Sequence, residues 1–309
     1  MLTGLRRLDY ERRRAERSLR CRGAGWARSP SAEVATLDRD GFVVLRGHTD
    51  RAVVDELAAE LATCLHDPES LDPVRDDAAG PRGDGERPDA RVDRADVAAG
   101  PDRYRSRTNA VAVDEPLLRC PTALQLAFDP AVLDLASAYF RCPAAITGAD
   151  LRHSFVNDLT GSGDLYLFHS DPNAFRIIKV FTYLNDVDED GGPFLYVRGS
   201  HRGRPPGWTA RYLWTRSQLE ELYGADRVVP VTGRAGDVIL ADTSGFHTGS
   251  KPRRRDRSTL IVNFALHKEL KGRHPWLQVP GAFVDDLDPV RRRAADFLRV
   301  EPGVAVGSS

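Results

Sequence analysis

The sequence contains no run of about 18 apolar residues, so we expect no transmembrane helix. Residues 1–7 are basic but are not followed by the apolar segment of a secretory signal, and we therefore expect a cytoplasmic protein. An excess of one charge is also absent, because 44 basic residues balance 45 acidic ones and the net charge is −1. This balance argues against a dedicated nucleic-acid-binding protein. Lysine is scarce relative to arginine, which indicates a bacterial genome rich in G and C.

The few cysteines are widely spaced, and none of them forms a C-x-x-C pair. A zinc ribbon and a redox-active dithiol are therefore not indicated. In a reducing cytoplasm the thiols of Cys21, Cys64, Cys120 and Cys142 are expected to be free. The sequence also lacks a P-loop, a dinucleotide-binding glycine fingerprint, a nucleophile elbow and an H-E-x-x-H zinc motif. These absences exclude several of the commonest nucleotide-binding, hydrolase and zinc-protease sites.

Helical patterns dominate residues 1–144. Apolar residues recur at helical spacing over residues 52–65, after a predicted strand at residues 41–46. A further helix is predicted at residues 129–140, where an Asp-Pro pair marks the first turn. The stretch at about residues 68–107 is rich in glycine, proline and charge, and we expect a mobile loop there, either a lid or plain disorder.

After about residue 145 the pattern changes to short strands separated by turns. Many short strands without alternating helices favour an antiparallel barrel or jelly roll. We therefore predict one domain over residues 1–309, mainly β with flanking helices, with a jelly-roll core at residues 145–270 and a C-terminal extension at residues 271–309. The strands predicted for the core cover residues 164–169, 175–184, 193–197, 227–231, 237–241 and 257–266.

The H-x-D pattern occurs twice, and its two copies differ in context. In the first copy Asp50 precedes a helix as an N-cap and His48 is a loop residue. In the second copy His169 and Asp171 end a predicted strand, so their side chains point to the same face. A later strand leads to His247, which a barrel can bring beside them. Two histidines and one carboxylate on one face of a metal form the facial triad of non-haem Fe(II) oxygenases, which leaves about three positions open.

An arginine follows at the start of another predicted strand. Arg257 opens the apolar run S-T-L-I-V-N-F, whereas residues 253–255 fit a solvated basic turn. A guanidinium held by a strand can bind a carboxylate through two parallel hydrogen bonds. A keto-acid cosubstrate would need such a partner at its far end.

A series of motifs follows in one order along the chain. It consists of H-S-D-P at residues 169–172, K-V-F-T-Y-L-N-D-V-D-E-D-G-G-P-F at residues 179–194, G-S-H at residues 199–201, G-D at residues 236–237, His247 and Arg257. This series resembles the phytanoyl-CoA dioxygenase family. The resemblance covers about residues 145–266, with weaker support from residues 41–65.

The resemblance implies a double-stranded β-helix, a cupin-like jelly roll that binds Fe(II) and 2-oxoglutarate and uses O2. By position, His169, Asp171 and His247 match the iron ligands of the family. Arg257 matches the arginine that binds the distal carboxylate of 2-oxoglutarate, and Arg255 is a weaker substitute.

The activity implied is that of an Fe(II)/2-oxoglutarate-dependent dioxygenase. It would hydroxylate an unactivated C–H of a small molecule or natural-product intermediate and release succinate and CO2. Desaturation, epoxidation and ring formation use the same triad and stay open, whereas halogenation is disfavoured because Asp171 is present. A non-catalytic β-barrel binding protein with a vestigial triad is the alternative of another class. The expected partner is a small-molecule substrate, with no nucleic acid and no membrane, and the oligomeric state is left open.

Four further features have two interpretations each. His201 is expected to pack or form hydrogen bonds rather than bind metal, and His153 is expected to be satisfied in the core rather than lie at the site. Lys179 either lines the pocket or reaches solvent along its apolar stem. The segment at residues 202–214 either contacts substrate or packs on the barrel rim.

Overall fold

The computed structural model describes residues 12, 15, 31–73, 94–159, 167–171, 176–203, 213–266 and 277–301. Ten of its strands form two antiparallel sheets that face each other, with helices packed on the outer side of the larger sheet, and the last two strands pair in parallel as a separate small sheet. Half of the predicted loop at residues 68–107 and most of the segment at residues 202–214 lie outside the described residues.

Helices flank the sheets at both ends of the described chain. The α-helices are α1 (Ala32–Asp40), α2 (Arg51–Cys64), α3 (Arg94–Ala98), α4 (Pro101–Tyr104), α5 (Pro116–Arg119), α6 (Pro121–Ala127), α7 (Pro130–Phe140), α8 (Arg216–Tyr223), α9 (Gly281–Asp285) and α10 (Pro289–Arg292). The strands are β1 (Phe42–Leu45), β2 (Leu71–Pro73), β3 (Ala110–Val113), β4 (Ala145–Ser154), β5 (Ile178–Tyr183), β6 (Phe194–Val197), β7 (Val228–Val231), β8 (Val238–Asp242), β9 (His247–Gly249), β10 (Arg257–Ala265), β11 (Gln278–Pro280) and β12 (Arg299–Glu301).

The larger sheet has the strand order β1-β8-β5-β10-β4-β3-β2. Successive side chains of its inner strand β5 alternate between two environments, as strand geometry requires. Val180 lies in the large apolar cluster shared with the helices, whereas Phe181 and Tyr183 lie in the smaller cluster between the sheets. The inner face of this sheet therefore turns towards the second sheet and carries whatever site the fold encloses.

The smaller sheet has the order β7-β6-β9. It is extended at the β9 edge, because His169 bridges His247 and Phe168 bridges Trp214 in antiparallel pairing. Phe194 and Tyr196 of β6 meet Phe181 across the interior, which closes the two sheets into a double-stranded β-helix. This is the predicted fold class.

Several predicted elements occur at the expected places, including β1, α2, α7 and the strands β5, β6, β7, β8 and β10. Asp129 caps α7 by accepting a hydrogen bond from the Val132 N–H. Asp50 occupies the N-cap position of α2, but its side chain makes no capping bond.

Other elements differ from the sequence prediction. The N-terminal part is not purely helical, because β2 and β3 join β1 in the larger sheet. Two short helices, α3 and α4, lie within the stretch predicted as a loop, and β4 was not among the predicted strands. Short strands and polar strands lack the apolar alternation on which the prediction depends.

Three of the cysteines are described, and all three are free thiols. Cys64 and Cys120 are buried with their sulfur atoms 3.9 Å apart. Within the described residues, no helix is long and apolar enough to cross a membrane.

Candidate metal centre

Backbone pairing brings the two histidines of the site together. The His169 N–H donates to the His247 carbonyl at 3.0 Å, and the His247 N–H donates back to the His169 carbonyl at 2.9 Å. Two residues further on, the Asp171 N–H donates to the Thr243 carbonyl at 2.8 Å. The turn between β8 and β9 thus anchors the segment that carries two of the three predicted ligands.

The predicted triad forms a compact cluster. The Nε2 atom of His169 is 3.9 Å from Asp171 Oδ1, and the Nε2 atom of His247 is 3.8 Å from Asp171 Oδ2. The potential ligand atoms all lie within 4.8 Å of one another. Among the described residues, this is the one group of three or more His, Cys, Asp or Glu side chains placed to hold a metal ion.

Hydrogen bonds orient both imidazole rings. Nδ1 of His247 donates to the Gly245 carbonyl at 3.0 Å, and Nδ1 of His169 lies 3.5 Å from the Leu167 carbonyl. A proton held on Nδ1 leaves Nε2 as the lone-pair nitrogen, which is the usual arrangement at metal sites. Two imidazole nitrogens and one carboxylate, converging from one side, fit a non-haem Fe(II) centre with open positions.

Burial and neighbouring charges set the ionisation of the triad. Burial lowers the pKa of His247 to about 3, with a further contribution from the adjacent His169. Burial also lowers the pKa of His169. Burial alone would raise the pKa of Asp171, but the Lys179 ammonium, followed by the two histidines, holds it well below its ordinary value. Neutral imidazoles and an ionised carboxylate are the forms that bind a metal.

Lys179 lines the pocket, which decides between its two interpretations. Its Nζ atom lies 3.0 Å from Asp171 Oδ2, and its side chain is 24% exposed. It stands on β5 directly opposite Asn263 of β10, on the same inner face as Phe181. Sequence reasoning placed Lys179 on a strand beside the triad but could not pair it with Asp171, because the contact depends on the packing between two loops and a sheet.

Arg257 is the first residue of β10, opposite Ser154 of β4. Its guanidinium donates to the Ser154 hydroxyl and to the Ser250 carbonyl, both at 3.4 Å. A Cβ atom added to Gly249 would lie 3.5 Å from Arg257 Nη2. Because Gly249 lies two residues after His247 on β9, the two residues face the same side of the sheet. Their Cα atoms are separated by about 7 Å along the strand. Arg257 therefore borders the same enclosed space as the triad.

The remaining candidates lie outside the cluster. Arg255 forms an exposed ion pair with Asp188 at 3.2 Å. His153 is held by Ser258 and Asp256, and Nε2 of His201 contacts the Asp38 carbonyl at 2.9 Å. His48 lies 3.3 Å from Asp129. The structure thus separates the first H-x-D copy from the second.

Trp214 ends the segment at residues 202–214, for which the sequence allows either substrate contact or packing on the barrel rim. Its side chain is buried and packs on Phe246, with ring centroids 5.7 Å apart. Trp214 is therefore part of the barrel wall, whereas residues 204–212 lie outside the described residues.

Comparison with protein families gives one match, the model described as "Phytanoyl-CoA dioxygenase (PhyH)", over residues 37–256. The chain belongs to the phytanoyl-CoA dioxygenase family. Membership makes this phytanoyl-CoA dioxygenase family protein an enzyme of the non-haem iron, 2-oxoglutarate-dependent oxygenase class, with Fe(II) and 2-oxoglutarate as cofactor and cosubstrate. The family predicted from the motif series is confirmed. Among curated protein sequences, none matches the chain significantly.

Several solved structures share this fold. EctD from S. alaskensis, solved with 2-oxoglutarate and 5-hydroxyectoine, is 20% identical at a TM-score of 0.56, covering 90% of this chain and 89% of EctD. The carbocyclase SnoK from nogalamycin biosynthesis is 17% identical at a TM-score of 0.53, covering 78% of this chain and 86% of SnoK. HygX from Streptomyces hygroscopicus, solved with nickel, 2-oxoglutarate and hygromycin B, is 17% identical at a TM-score of 0.52, covering 81% and 91%. At these identities the likeness concerns the fold of the phytanoyl-CoA dioxygenase family protein.

Proposed function

We propose that this oxygenase hydroxylates an unactivated C–H of a small molecule or natural-product intermediate, with release of succinate and CO2. The observation that carries the proposal is the compact cluster of His169, Asp171 and His247 with Arg257 bordering the same space. The structural neighbours SnoK, from nogalamycin biosynthesis, and HygX, with hygromycin B bound, support a natural-product substrate.

Each side chain of the site has a distinct task in this proposal. His169, Asp171 and His247 would hold Fe(II) through Nε2, a carboxylate oxygen and Nε2. A bound Fe(II) supplies the O2 activation and C–H oxidation that no side chain of this protein can perform. Arg257 would bind the distal carboxylate of 2-oxoglutarate through two hydrogen bonds, and Ser154 and Ser250 hold its guanidinium in position.

The substrate side of the pocket is polar. Asp150 and Arg152 of β4 and Asn263 of β10 lie on the inner face of the larger sheet, by their register with Ile261 and Thr259. Two buried atoms, Arg152 Nε and Asn263 Oδ1, have no hydrogen-bond partner among the described residues. Because buried polar atoms are normally satisfied, these atoms favour a substrate that carries polar groups.

The first alternative is a different oxidation reaction at the same triad. Desaturation, epoxidation and ring formation require the same ligands, and the structural neighbour SnoK is a carbocyclase. A non-catalytic binding protein is the alternative of another class. The intact donor set with its oriented imidazole rings argues against it, because a vestigial site has no need of such an arrangement.

Anaerobic metal binding tests the proposed ligands. His169→Ala and His247→Ala should each abolish stoichiometric Fe(II) binding and 2-oxoglutarate-dependent succinate formation. His48→Ala is the matched control, because His48 contacts Asp129 outside the cluster, and it should retain both properties. Wild-type protein that binds no Fe(II), or a His48→Ala variant that loses it, would contradict the assignment. Screening compounds for stimulated succinate release would then identify the substrate.

A further inference from the structure

Lys179 is an unusual residue for its position in the fold. Its neighbours on the inner face of β5 are Phe181 and Tyr183, which pack in the apolar cluster between the two sheets. A charged side chain in such a place costs folding free energy unless an opposite charge compensates it. The compensating charge is the carboxylate of Asp171, 3.0 Å away and itself only 14% exposed.

The contact between Lys179 and Asp171 involves one of the two carboxylate oxygens. Each oxygen faces one histidine, because Oδ1 of Asp171 is 3.9 Å from His169 Nε2 and Oδ2 is 3.8 Å from His247 Nε2. Oδ2 lies in addition 3.0 Å from the Lys179 ammonium. A carboxylate with both oxygens available can bind a metal in bidentate fashion. Bidentate binding would occupy one of the positions that a facial triad leaves open.

We propose that Lys179 is a positioning residue that engages Oδ2 of Asp171 and so restricts this carboxylate to binding metal through Oδ1. Three positions then stay open, two for 2-oxoglutarate and one for O2. This inference rests on the proposed function, since it assumes that the triad binds Fe(II). It assigns to Lys179 an effect on the binding of 2-oxoglutarate, which Lys179 itself does not contact.

The test uses Lys179→Met, which keeps an unbranched apolar stem and removes the ammonium. Fe(II) is added anaerobically to the full-length protein, and 2-oxoglutarate is titrated while the visible charge-transfer band is recorded. We expect the variant to retain Fe(II) binding, to bind 2-oxoglutarate about tenfold more weakly, and to show an altered band. Lys179→Arg keeps a charged donor near Oδ2 and should restore most of the affinity.

Lys251→Met is the matched control. Lys251 donates to the Leu159 carbonyl rather than to a carboxylate of the site, so its loss should leave the 2-oxoglutarate affinity within about twofold of wild type. A Lys179→Met variant with the affinity and band of the wild type would overturn the proposal. A wild-type protein without Fe(II) binding or without the band would instead contradict the proposed function.

The stability of the Lys179→Met variant provides a second readout. Without metal, the buried Asp171 carboxylate has lost its main compensating charge, so the melting temperature should fall. Fe(II) should raise the melting temperature more in the variant than in the wild type, because the metal takes over as the partner of the carboxylate. A variant that is unfolded without metal should fold when Fe(II) is added, and a variant that stays unfolded with Fe(II) would overturn the proposal.

Discussion

Two arginines close in sequence differ in what their side chains contact. The Arg255 guanidinium pairs with Asp188 and is 56% exposed, so its charge is screened by solvent. Arg257 instead lies against Ser154 and Gly249 at the edge of the enclosed space. A carboxylate that reaches Arg257 would meet a guanidinium whose plane is already held, which favours bidentate binding.

Arg257→Ala should therefore weaken 2-oxoglutarate binding by about one to two orders of magnitude, because a hydrogen-bonded charge pair contributes roughly 1.5–3 kcal/mol. Fe(II) affinity should stay near the wild-type value, since Arg257 is not a predicted ligand. Arg257→Lys should restore little, because an ammonium cannot match the fork of a guanidinium. Arg255→Ala is the matched control in the same titration, and an equal loss there would contradict the assignment.

At the residue scale, the sequence predicted the direction of a side chain where strand geometry alone determines it. Strand periodicity put His169 and Asp171 on one face, and the structure brings both beside His247. Periodicity could not distinguish a pocket-lining Lys179 from one that reaches solvent. That choice depends on where Asp171 lies in space, and Asp171 is held by a backbone bond to Thr243, far along the chain.

At the scale of elements, the pair Gly236-Asp237 before β8 holds the loop that follows β1. Gly236 has φ +90°, and a Cβ atom there would overlap the Thr49 carbonyl. Asp237 accepts hydrogen bonds from the Gly47 N–H at 2.7 Å and the Arg234 N–H at 2.9 Å, and pairs with Arg46 at 2.7 Å. Burial alone would raise the pKa of Asp237, but these donors hold it below its ordinary value.

Asp237→Asn should destabilise the protein by about 1–3 kcal/mol at pH 7, because an amide cannot accept all these bonds. The backbone donors dominate this cost, since the Arg46 side chain is 61% exposed. A carboxyl with a lowered folded-state pKa stabilises the fold above its unfolded pKa of about 3.9, and loses this effect as pH falls through the folded value. The difference from wild type should thus be full at pH 7 and shrink below about pH 4.

Urea unfolding at pH 7 and at a pH below about 4 measures the difference in unfolding free energy between Asp237→Asn and wild type. Asp50→Asn is the control, because the Asp50 side chain makes no capping bond and should have a small effect at either pH. A difference between Asp237→Asn and wild type that does not change with pH would exclude the proposed role of the carboxylate charge.

The strand β4 shows why some elements escaped the sequence analysis. Leu151 packs in the outer apolar cluster, whereas Gly148, Asp150 and Arg152 share the inner face that borders the polar side of the pocket. A strand whose inner face is polar and contains glycine gives no apolar run and weak strand propensity. The prediction failed here because the site itself replaces the core on that face.

At the scale of the whole molecule, the candidate metal centre lies where the two sheets meet. His247 belongs to β9 of the smaller sheet, with His169 paired beside it, whereas Lys179 and Arg257 come from β5 and β10 of the larger sheet. The fold class could be predicted because many short apolar strands have few alternative arrangements. The mutual placement of the sheets could not, since it depends on side chains far apart in sequence, such as Phe181 and Phe194.

A metal held by residues of this junction should stabilise the protein as a whole. Fe(II) and 2-oxoglutarate that bind only the folded state add about 2.7 kcal/mol each at 100 times their Kd. We expect the anaerobic melting temperature of the wild type to rise with Fe(II) and to rise again with 2-oxoglutarate. His169→Ala should lose both increases, because 2-oxoglutarate needs the metal, whereas Arg257→Ala should keep the first and lose most of the second. An unchanged 2-oxoglutarate increase in His169→Ala would show that the keto acid binds away from the triad.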